Sequence, residues 1–209
     1  GGATEPLLPP PPLTLPAGKV LRRADFEAEH CMTCGQFASV YRGRLLAAAP
    51  PPGGGAGVVV KTLGGRCQHD DHGISTAATE LLAEIAVLAK LSHPRIVTFV
   101  GACLEPWDIA LVTELAPGGN LHQAIHVRRR QFARVEKFRL ARELLEAAAY
   151  LHTRRPPVAH LDIKSLNLVL DAQGEHLQLC DFGLARVITP PEDDAEPQAG
   201  GAGGVGEKL

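Results

Sequence analysis

The apolar residues in the first half of the chain fall in short runs separated by turn-forming residues. Residues 20–46 contain two such runs around a turn, and a run of three valines at residues 58–60 follows the proline- and glycine-rich stretch 47–57. Further apolar runs occupy residues 96–101 and 109–113. Short runs bounded by Gly, Pro and Asn are typical of β-strands. We therefore predict that strands dominate this half.

One stretch of the first half has helical spacing instead. In residues 77–91, Leu81, Ile85 and Leu88 recur every three or four positions, which is the period of an amphipathic helix. Glu84 lies on nearly the same face. The sequence predicts one helix with a carboxylate beside its buried stripe.

The second half has a long helical period. It follows a break with the sequence APGGN at residues 116–120 and runs through VEKFRLARELLEAAAYLH, which ends at residue 152. We predict a long helix here. Its predicted apolar stripe consists of Val135, Phe138, Ala141, Leu145, Ala148 and Leu151.

The composition is that of a protein with a real core. With 209 residues and 45% hydrophobic content, the chain fits one domain, or one domain with tails. A formal net charge of -2 gives no electrostatic reason to expect a nucleic acid or a membrane surface as partner. No apolar stretch approaches about 18 residues and no secretory signal pattern is present, so we expect a cytoplasmic protein. Residues 1–19, which are rich in proline, and residues 190–209, which have little to bury, are predicted to be disordered tails.

Five cysteines, an odd number, are distributed along the chain. The first two cysteines, together with the cysteine and histidines of residues 67–72, could supply the ligands of a zinc site, but the spacing of these residues is irregular. We expect reduced structural thiols. The residues concerned are Cys31, Cys34, Cys67, Cys103 and Cys180, with His69 and His72 as the other possible zinc ligands.

The segment HLDIKSLNLVLD, residues 160–171, mixes apolar and polar residues in a pattern that suits neither a helix stripe nor a plain strand. If its leucines and valine anchor the backbone, then Asp162, Lys164 and Asn167 can converge on one ligand. Active-site loops are built in this way.

Four motifs in order resemble the signature set of the eukaryotic protein kinases. They are VVVK ending at Lys61, LLAEIAVL with Glu84, HLDIKSLN, and CDFGLAR with Asp181. Any one of these motifs is weak, whereas four in order are strong. The resemblance implies an α+β, two-lobed fold, with a small β-rich N-lobe carrying one helix at residues 20–115 and a truncated helical C-lobe at residues 116–189.

The resemblance also implies a role for each polar residue, with ATP and Mg²⁺ as cofactors. Lys61 would hold the α- and β-phosphates and Glu84 would fix its ammonium group. Asn167 and Asp181 would bind magnesium ions, and Asp162 would take the proton of the substrate hydroxyl. Lys164 stands where Ser/Thr kinases carry a lysine, which implies a protein substrate with a Ser or Thr acceptor.

Two further stretches, LSHPRIVTFVGACLEP and LVTELAPGGNLHQAI, look like the tyrosine-kinase-like group of Ser/Thr kinases, the Raf-like and mixed-lineage relatives. In that group Thr113 would be the gatekeeper of the adenine pocket, and Glu114 and Ala116 would offer backbone groups to adenine. The residues that would sandwich the adenine ring are Val40, Val59 and Val169, for which an ordinary core role is the alternative.

The sequence departs from the kinase pattern in its glycine-rich loop. Thr33, Gly35 and Ala38 occupy the three glycine positions, so only the middle glycine is present. Glycines there let the backbone turn freely over phosphate. We expect weaker ATP binding and retained chemistry.

Two other departures concern the C-terminal side. No A-P-E motif follows Asp181, and the chain begins with Gly, so we expect an incomplete kinase domain. Leu161 replaces the arginine that in many kinases pairs with a phosphorylated residue; it could also simply pack against Leu166 and Leu168. After the D-F-G motif, Thr189 is the only hydroxyl residue. A non-catalytic, kinase-like binding module is the alternative to an enzyme.

Overall fold

The computed structural model describes residues 13–35, 38–46, 57–63, 76–105 and 108–188. Several sequence-based expectations lie outside these ranges. They are residues 1–12 of the proline-rich tail, the tail 190–209, the possible zinc ligands Cys67, His69 and His72, and the hydroxyl residue Thr189.

A six-stranded sheet forms the first half of the described chain, as the short apolar runs predicted. Its order is β1-β5-β6-β4-β3-β2, and its neighbours are antiparallel except for the parallel pair β1 and β5. The strands are β1 (Val20–Leu21), β2 (Phe26–Cys34), β3 (Ala38–Leu45), β4 (Gly57–Leu63), β5 (Phe99–Cys103) and β6 (Ala110–Glu114).

The helix α1 (Thr76–Leu88) packs on this sheet and confirms the predicted stripe. Leu81, Ile85 and Leu88 are buried, at most 3% exposed. The helix ends three residues before the predicted boundary, because the amides of Lys90 and Leu91 bond to carbonyls three residues back and tighten the chain into a turn.

The second half contains α2 (Arg134–His152), a short π-helix (Gln123–Val127) and two two-stranded sheets. One sheet pairs β8 (Leu168–Leu170) with β9 (Leu177–Leu179), and the other pairs β7 (Val158–Ala159) with β10 (Arg186–Val187). This arrangement of a sheet with one helix, followed by a partly helical second lobe, is the predicted α+β fold.

The predicted stripe of α2 is wrong, except that Leu151 is buried as expected. The helix buries Leu140, Glu143, Ala147 and Leu151, whereas Val135, Phe138 and Leu145 are 75%, 63% and 68% exposed. The predicted positions average 3.2 residues per turn, so at 100° per residue Val135 and Leu151 lie about 160° apart around the helix. The buried face is instead the one that packs on β9.

The expectation of reduced thiols is wrong for the first cysteine pair. Cys31 and Cys34 are joined by a disulfide, with their Cα atoms 6.5 Å apart. An irregularity in the pairing of β2 with β3 between Cys31 and Thr33 brings the two side chains together. Cys103 and Cys180 are free, and burial raises the pKa of the Cys180 thiol to about 12, so this thiol is unreactive at neutral pH.

One hydrophobic core cluster joins the two halves. It includes Leu81 and Ile85 of α1, Leu151 of α2, Leu179 of β9 and Phe182. Among the described residues, no helix is long and apolar enough to cross a membrane.

Candidate active site

Lys61 lies near the end of β4 and faces α1. Its Nζ donates hydrogen bonds to Oε2 of Glu84 at 2.7 Å and to Oδ1 of Asp181 at 2.9 Å. The side chain of Lys61 is 21% exposed, that of Glu84 is 3% exposed and that of Asp181 is 44% exposed. The strand, the helix and the segment after β9 thus meet at one ammonium group.

The pKa values of this group follow from burial and charge. Burial by itself lowers the pKa of Lys61, but the carboxylates of Glu84 and Asp181 outweigh it and raise the pKa. Burial raises the pKa of Glu84, and Lys61 offsets only part of this rise. Both pKa values are therefore raised, that of Lys61 because it has two carboxylate partners and that of Glu84 because it is deeply buried and has one cation.

The segment 160–167 folds back on itself around Asp162. Lys164 Nζ donates to Oδ2 of Asp162 at 2.7 Å, and Asn167 Nδ2 donates to its Oδ2 and to its carbonyl oxygen, both at 2.9 Å. Ser165–Asn167 form a turn of 3₁₀-helix that carries Asn167 inward. The three polar residues that the sequence singled out therefore converge.

The hydrogen bond from Lys164, followed by that from Asn167, lowers the pKa of Asp162 against the effect of desolvation. The same contact raises the pKa of Lys164. Asp162 is therefore an ionised acceptor at neutral pH, with its side chain 25% exposed.

The side chain of His160 bonds both to this loop and to the residue after β9. Its ring is buried, and Nε2 lies 3.1 Å from the carbonyl oxygen of Cys180 while Nδ1 accepts the amide of Asp162 at 3.3 Å. Since a carbonyl can only accept, Nε2 carries the proton and Nδ1 must stay unprotonated. Burial lowers the pKa of His160, which agrees with this neutral tautomer.

Phe182 fixes the position of the residue before it. Its ring is 1% exposed and meets the His160 ring edge-on at 4.8 Å, and its amide donates to Oε1 of Glu84 at 3.2 Å. Asp181 has a φ of 60°, a left-handed conformation that turns its carboxylate toward Lys61. His160 and Phe182 were not predicted as site residues, although both stand inside the kinase-like motifs.

One charged residue from each of the four motifs lines a cavity of about 170 Å³. Lys61, Glu84, Asp162 and Asp181 all contribute to it, together with Gly183. A cation and four carboxylates, of which Glu84 is buried and Glu80 is the fourth, line this small cavity, and such a set suits a phosphate group accompanied by a metal ion.

Two side-chain oxygen atoms suit a magnesium ion, one on Asp181 at this cavity and one on Asn167, which bonds to Asp162. Among the described residues, Oδ1 of Asn167 and Oδ2 of Asp181 accept no hydrogen bond. Mg²⁺ prefers oxygen ligands and is commonly held by one or two carboxylates plus substrate phosphates. Within the described ranges, no group of three His, Cys, Asp or Glu residues could hold a metal by itself, so any ion here must complete its shell with water or phosphate oxygens.

The residues predicted to contact adenine share one face of the sheet. Val40 pairs with Lys61, and Val59 pairs with Thr113, so these four side chains point to the same side. Val40 and Val59 are half-buried and Thr113 is buried. Val169, also half-buried, lies on β8 in the other half and bridges to Asn120.

The chain after β6 crosses from the sheet to the second half. The amide of Glu114 bonds to Thr98 O at 3.0 Å, but within the described chain the amide of Ala116 has no acceptor and remains available to a ligand. Gly118 packs directly on the end of β8, where a Cβ would collide with the carbonyl oxygens of Leu170 and Asp171. No larger residue fits this crossing.

The segment in the place of the kinase glycine-rich loop, which joins β2 to β3, lies over the same face of the sheet. Thr33 is exposed and pairs with Val40, and the amide of Gly35 bonds to the carbonyl oxygen of Ala38 at 2.9 Å. The strands β2 and β3 therefore form a hairpin at this point, although residues 36–37 lie outside the described ranges.

Comparison with known proteins identifies this arrangement. The sequence matches the protein kinase domain family over residues 27–200. It is similar to the dual specificity protein kinase shkC of Dictyostelium discoideum, with 32% identity over 165 residues, which are 79% of this chain and 30% of that protein.

Two other relatives give the same picture. The serine/threonine-protein kinase CTR1 of Arabidopsis thaliana is 32% identical over 165 residues, which are 78% of this chain and 18% of CTR1. The serine/threonine-protein kinase TNNI3K of Mus musculus is 29% identical over 181 residues, which are 86% of this chain and 20% of that protein. The chain thus spans less than a third of the length of these relatives. From the family match and the geometry of its charged cavity, we conclude that the chain belongs to the protein kinase domain family.

Proposed function

We propose that this chain is the catalytic region of a serine/threonine protein kinase, which transfers the γ-phosphoryl group of ATP to Ser or Thr hydroxyls of proteins. The observation that carries the proposal is the single cavity lined by Lys61, Glu84, Asp162 and Asp181. The kinase names of the relatives support it. A non-catalytic module has no need to bring these four groups together.

Each group has a task in this reaction. Lys61 neutralises the phosphates and is held by Glu84 at 2.7 Å. The ionised Asp162 accepts the proton of the attacking hydroxyl, and Lys164, which bonds to the same carboxylate, can move to the transferred phosphate. Asn167 and Asp181 would hold the magnesium ion, which when bound neutralises charge that develops on the phosphate oxygens.

Adenine would bind against the face of the sheet that carries Val40 and Val59, with Val169 on the opposite side. The free amide of Ala116 and the backbone of Glu114 would supply the hydrogen bonds, and Thr113 would close the back of this pocket. Gly35 would approach the phosphates from above, and the substitution of Thr33 and Ala38 for glycine would weaken this closure.

The first experiment measures nucleotide binding by the full-length protein. We expect Mg²⁺-dependent stabilisation by ATP in a thermal-shift titration, and its loss in Lys61→Met. Lys90→Met is the matched control, because Lys90 is exposed in the turn after α1. An equal response to ATP in Lys61→Met and the parent would contradict the role of Lys61.

A second experiment tests the reaction itself. Peptides with Ser, Thr or Tyr as the only acceptor are incubated with radiolabelled ATP and either the parent or Asp162→Asn. We expect label on Ser and Thr peptides, with a reduction of at least a hundredfold in the variant. Label on Tyr peptides alone would exclude the proposed acceptor, and undiminished labelling by the variant would exclude Asp162 as the base.

A further inference from the structure

The most deeply buried charged side chain of the described residues takes no direct part in the proposed reaction. Glu143, in the middle of α2, is 0% exposed. A carboxylate is costly to bury unless it is paired and hydrogen-bonded. The burial of Glu143 must therefore be explained by the groups to which it bonds.

Glu143 binds three partners from two segments. Its Oε1 forms an ion pair with Nη2 of Arg95 at 3.0 Å and lies 2.8 Å from Nδ1 of His176, and its Oε2 accepts a hydrogen bond from the backbone amide of Leu177 at 2.8 Å. Arg95 belongs to the segment between α1 and β5, whereas Leu177 is the first residue of β9. One carboxylate thus joins α2, the segment after α1 and the start of β9.

The same segment after α1 is also bonded to the end of β9. The amide of Leu179 donates to the carbonyl oxygen of Arg95 at 2.8 Å, and the amide of Val97 donates to the carbonyl oxygen of Leu179 at 3.1 Å. Both ends of this short strand are therefore tied down, one by a buried side chain and one by backbone bonds.

The strand β9 leads directly to the metal-binding residues of the proposed site. Asp181 follows Leu179 by two positions, and the intervening Cys180 donates its amide to the carbonyl oxygen of Asn167 at 2.9 Å. A shift of β9 would consequently move the two proposed metal ligands, Asp181 and Asn167. Within the described part of the chain, the residues of β4 and β6 that would face adenine form no bond with this network.

We propose that Glu143 is a positioning residue, which through Leu177 and Arg95 fixes the distance of Asp181 from Lys61 and Glu84. The inference rests on the proposed kinase function and adds a residue to its machinery that does not touch nucleotide. It assigns the Arg95 and Glu143 pair to metal and phosphate binding, and not to adenine binding.

Two ligands separate this role from a general loss of structure. Adenosine has no phosphate and reports on the adenine face, whereas ATP with Mg²⁺ requires Asp181 as well. In Glu143→Gln one carboxylate oxygen becomes an amide donor, which must face either the Leu177 amide or the Arg95 and His176 donors. We expect the dissociation constant of magnesium ATP to rise at least fivefold, while that of adenosine changes less than twofold.

Glu146→Gln is the matched control in the full-length protein. Glu146 is also on α2 and also pairs with Arg95, at 3.2 Å, but it is 40% exposed, and its side-chain bonds within the described residues go to Arg95 and Arg142 and not to β9. We expect both dissociation constants to stay within twofold of the parent. The same change in Glu146→Gln as in Glu143→Gln would show that the charge of Arg95, and not the tie to β9, matters.

Arg95→Gln removes the other, more exposed partner of the ion pair. This variant tests the positioning role if Glu143→Gln does not fold. It leaves Glu143 with His176 and Leu177, and we expect magnesium ATP to bind at least threefold more weakly with adenosine unchanged. Equal weakening of both ligands, or no weakening of either, would overturn the proposed role of the network. A parent protein that binds adenosine but shows no magnesium ATP affinity would overturn the kinase function itself, which is a different failure.

Discussion

Replacing Lys61 with methionine tests how the buried charge of α1 is stabilised. Among the described residues, Lys61 is the cation that bonds to Glu84, and the remaining partner of this carboxylate is the amide of Phe182 at 3.2 Å. Methionine preserves much of the aliphatic volume of lysine and removes its charge. The variant therefore leaves a carboxylate that is 3% exposed without a counter-charge.

The expected loss of stability is substantial near neutral pH. Removing one partner of a buried pair costs about 3–5 kcal/mol. The second carboxylate that Lys61 contacts, Asp181, is 44% exposed and adds little, because solvent screens it. Protonation of Glu84 limits the loss, so we expect about 3 kcal/mol in the free energy of unfolding at about pH 8.

The pH dependence gives the prediction its sharpest form. Burial already raises the pKa of Glu84 and Lys61 opposes this rise, so the variant has a still higher folded-state pKa. A carboxyl with a folded-state pKa above its unfolded value binds more protons when folded, and its stability contribution is complete below the unfolded value of 4.5 and lost as the pH rises through the folded value. The deficit of Lys61→Met relative to the parent should therefore shrink as the pH falls from about 8 to about 5.

Urea unfolding of parent, Lys61→Met and Lys61→Met with Glu84→Gln at several pH values measures this. We expect the double variant to recover more than half of the loss at about pH 8 and to show no recovery on acidification, because the amide does not titrate. A loss below about 1 kcal/mol in Lys61→Met, or a loss that is the same at both pH values, would refute the argument.

Three further predictions concern the loops around the site. Replacing both Thr33 and Ala38 with glycine should lower the KM for ATP with little change in kcat, since uniform binding is improved; steady-state kinetics with an unchanged KM would show that the two substitutions are neutral. Leu161 is 65% exposed with a φ of 61° and cannot bind a phosphate, so phosphatase treatment or Thr189→Ala should leave kinase activity within tenfold of the untreated protein, and a larger loss, beyond about 1.4 kcal/mol, would contradict this. Burial lowers the pKa of His160 from 6.5, so the unfolded state binds more protons, and the free energy of unfolding should fall as the pH drops below that value. In His160→Gln the free energy of unfolding should depend less steeply on pH. Equal pH dependence of the two proteins in a series of unfolding curves would show that His160 does not titrate as proposed.

The packing interpretation of Leu161 is one that only the structure could decide. The sequence allowed it to pack against Leu166 and Leu168, yet the side chain points to solvent and Leu166 is itself 48% exposed. A left-handed φ at Leu161 turns the side chain away from the core. Local hydrophobicity could not reveal this conformation, because the neighbouring bonds of His160 and Asp162 impose it.

The order of strands and helices and the convergence of the charged residues followed largely from the sequence. The stripe of α1 was predicted because its spacing matches the helical period closely. Lys61, Glu84, Asp162 and Asp181 were identified because they stand in four motifs whose order resembles that of the protein kinases, although any one of these motifs is weak. The order of motifs along the chain carries this information, and the sequence contains that order in full.

The buried face of α2 and the network around Glu143 required the tertiary structure. The helix offers apolar residues on more than one side, and the partner β9 determines which side is covered. Glu143 carries no hydrophobic signal and stands in an ordinary helical pattern, while its partners Arg95 and Leu177 lie 48 and 34 residues away. Burial of a charge depends on donors brought together by folding, and for this reason the periodicity of a single helix cannot predict it.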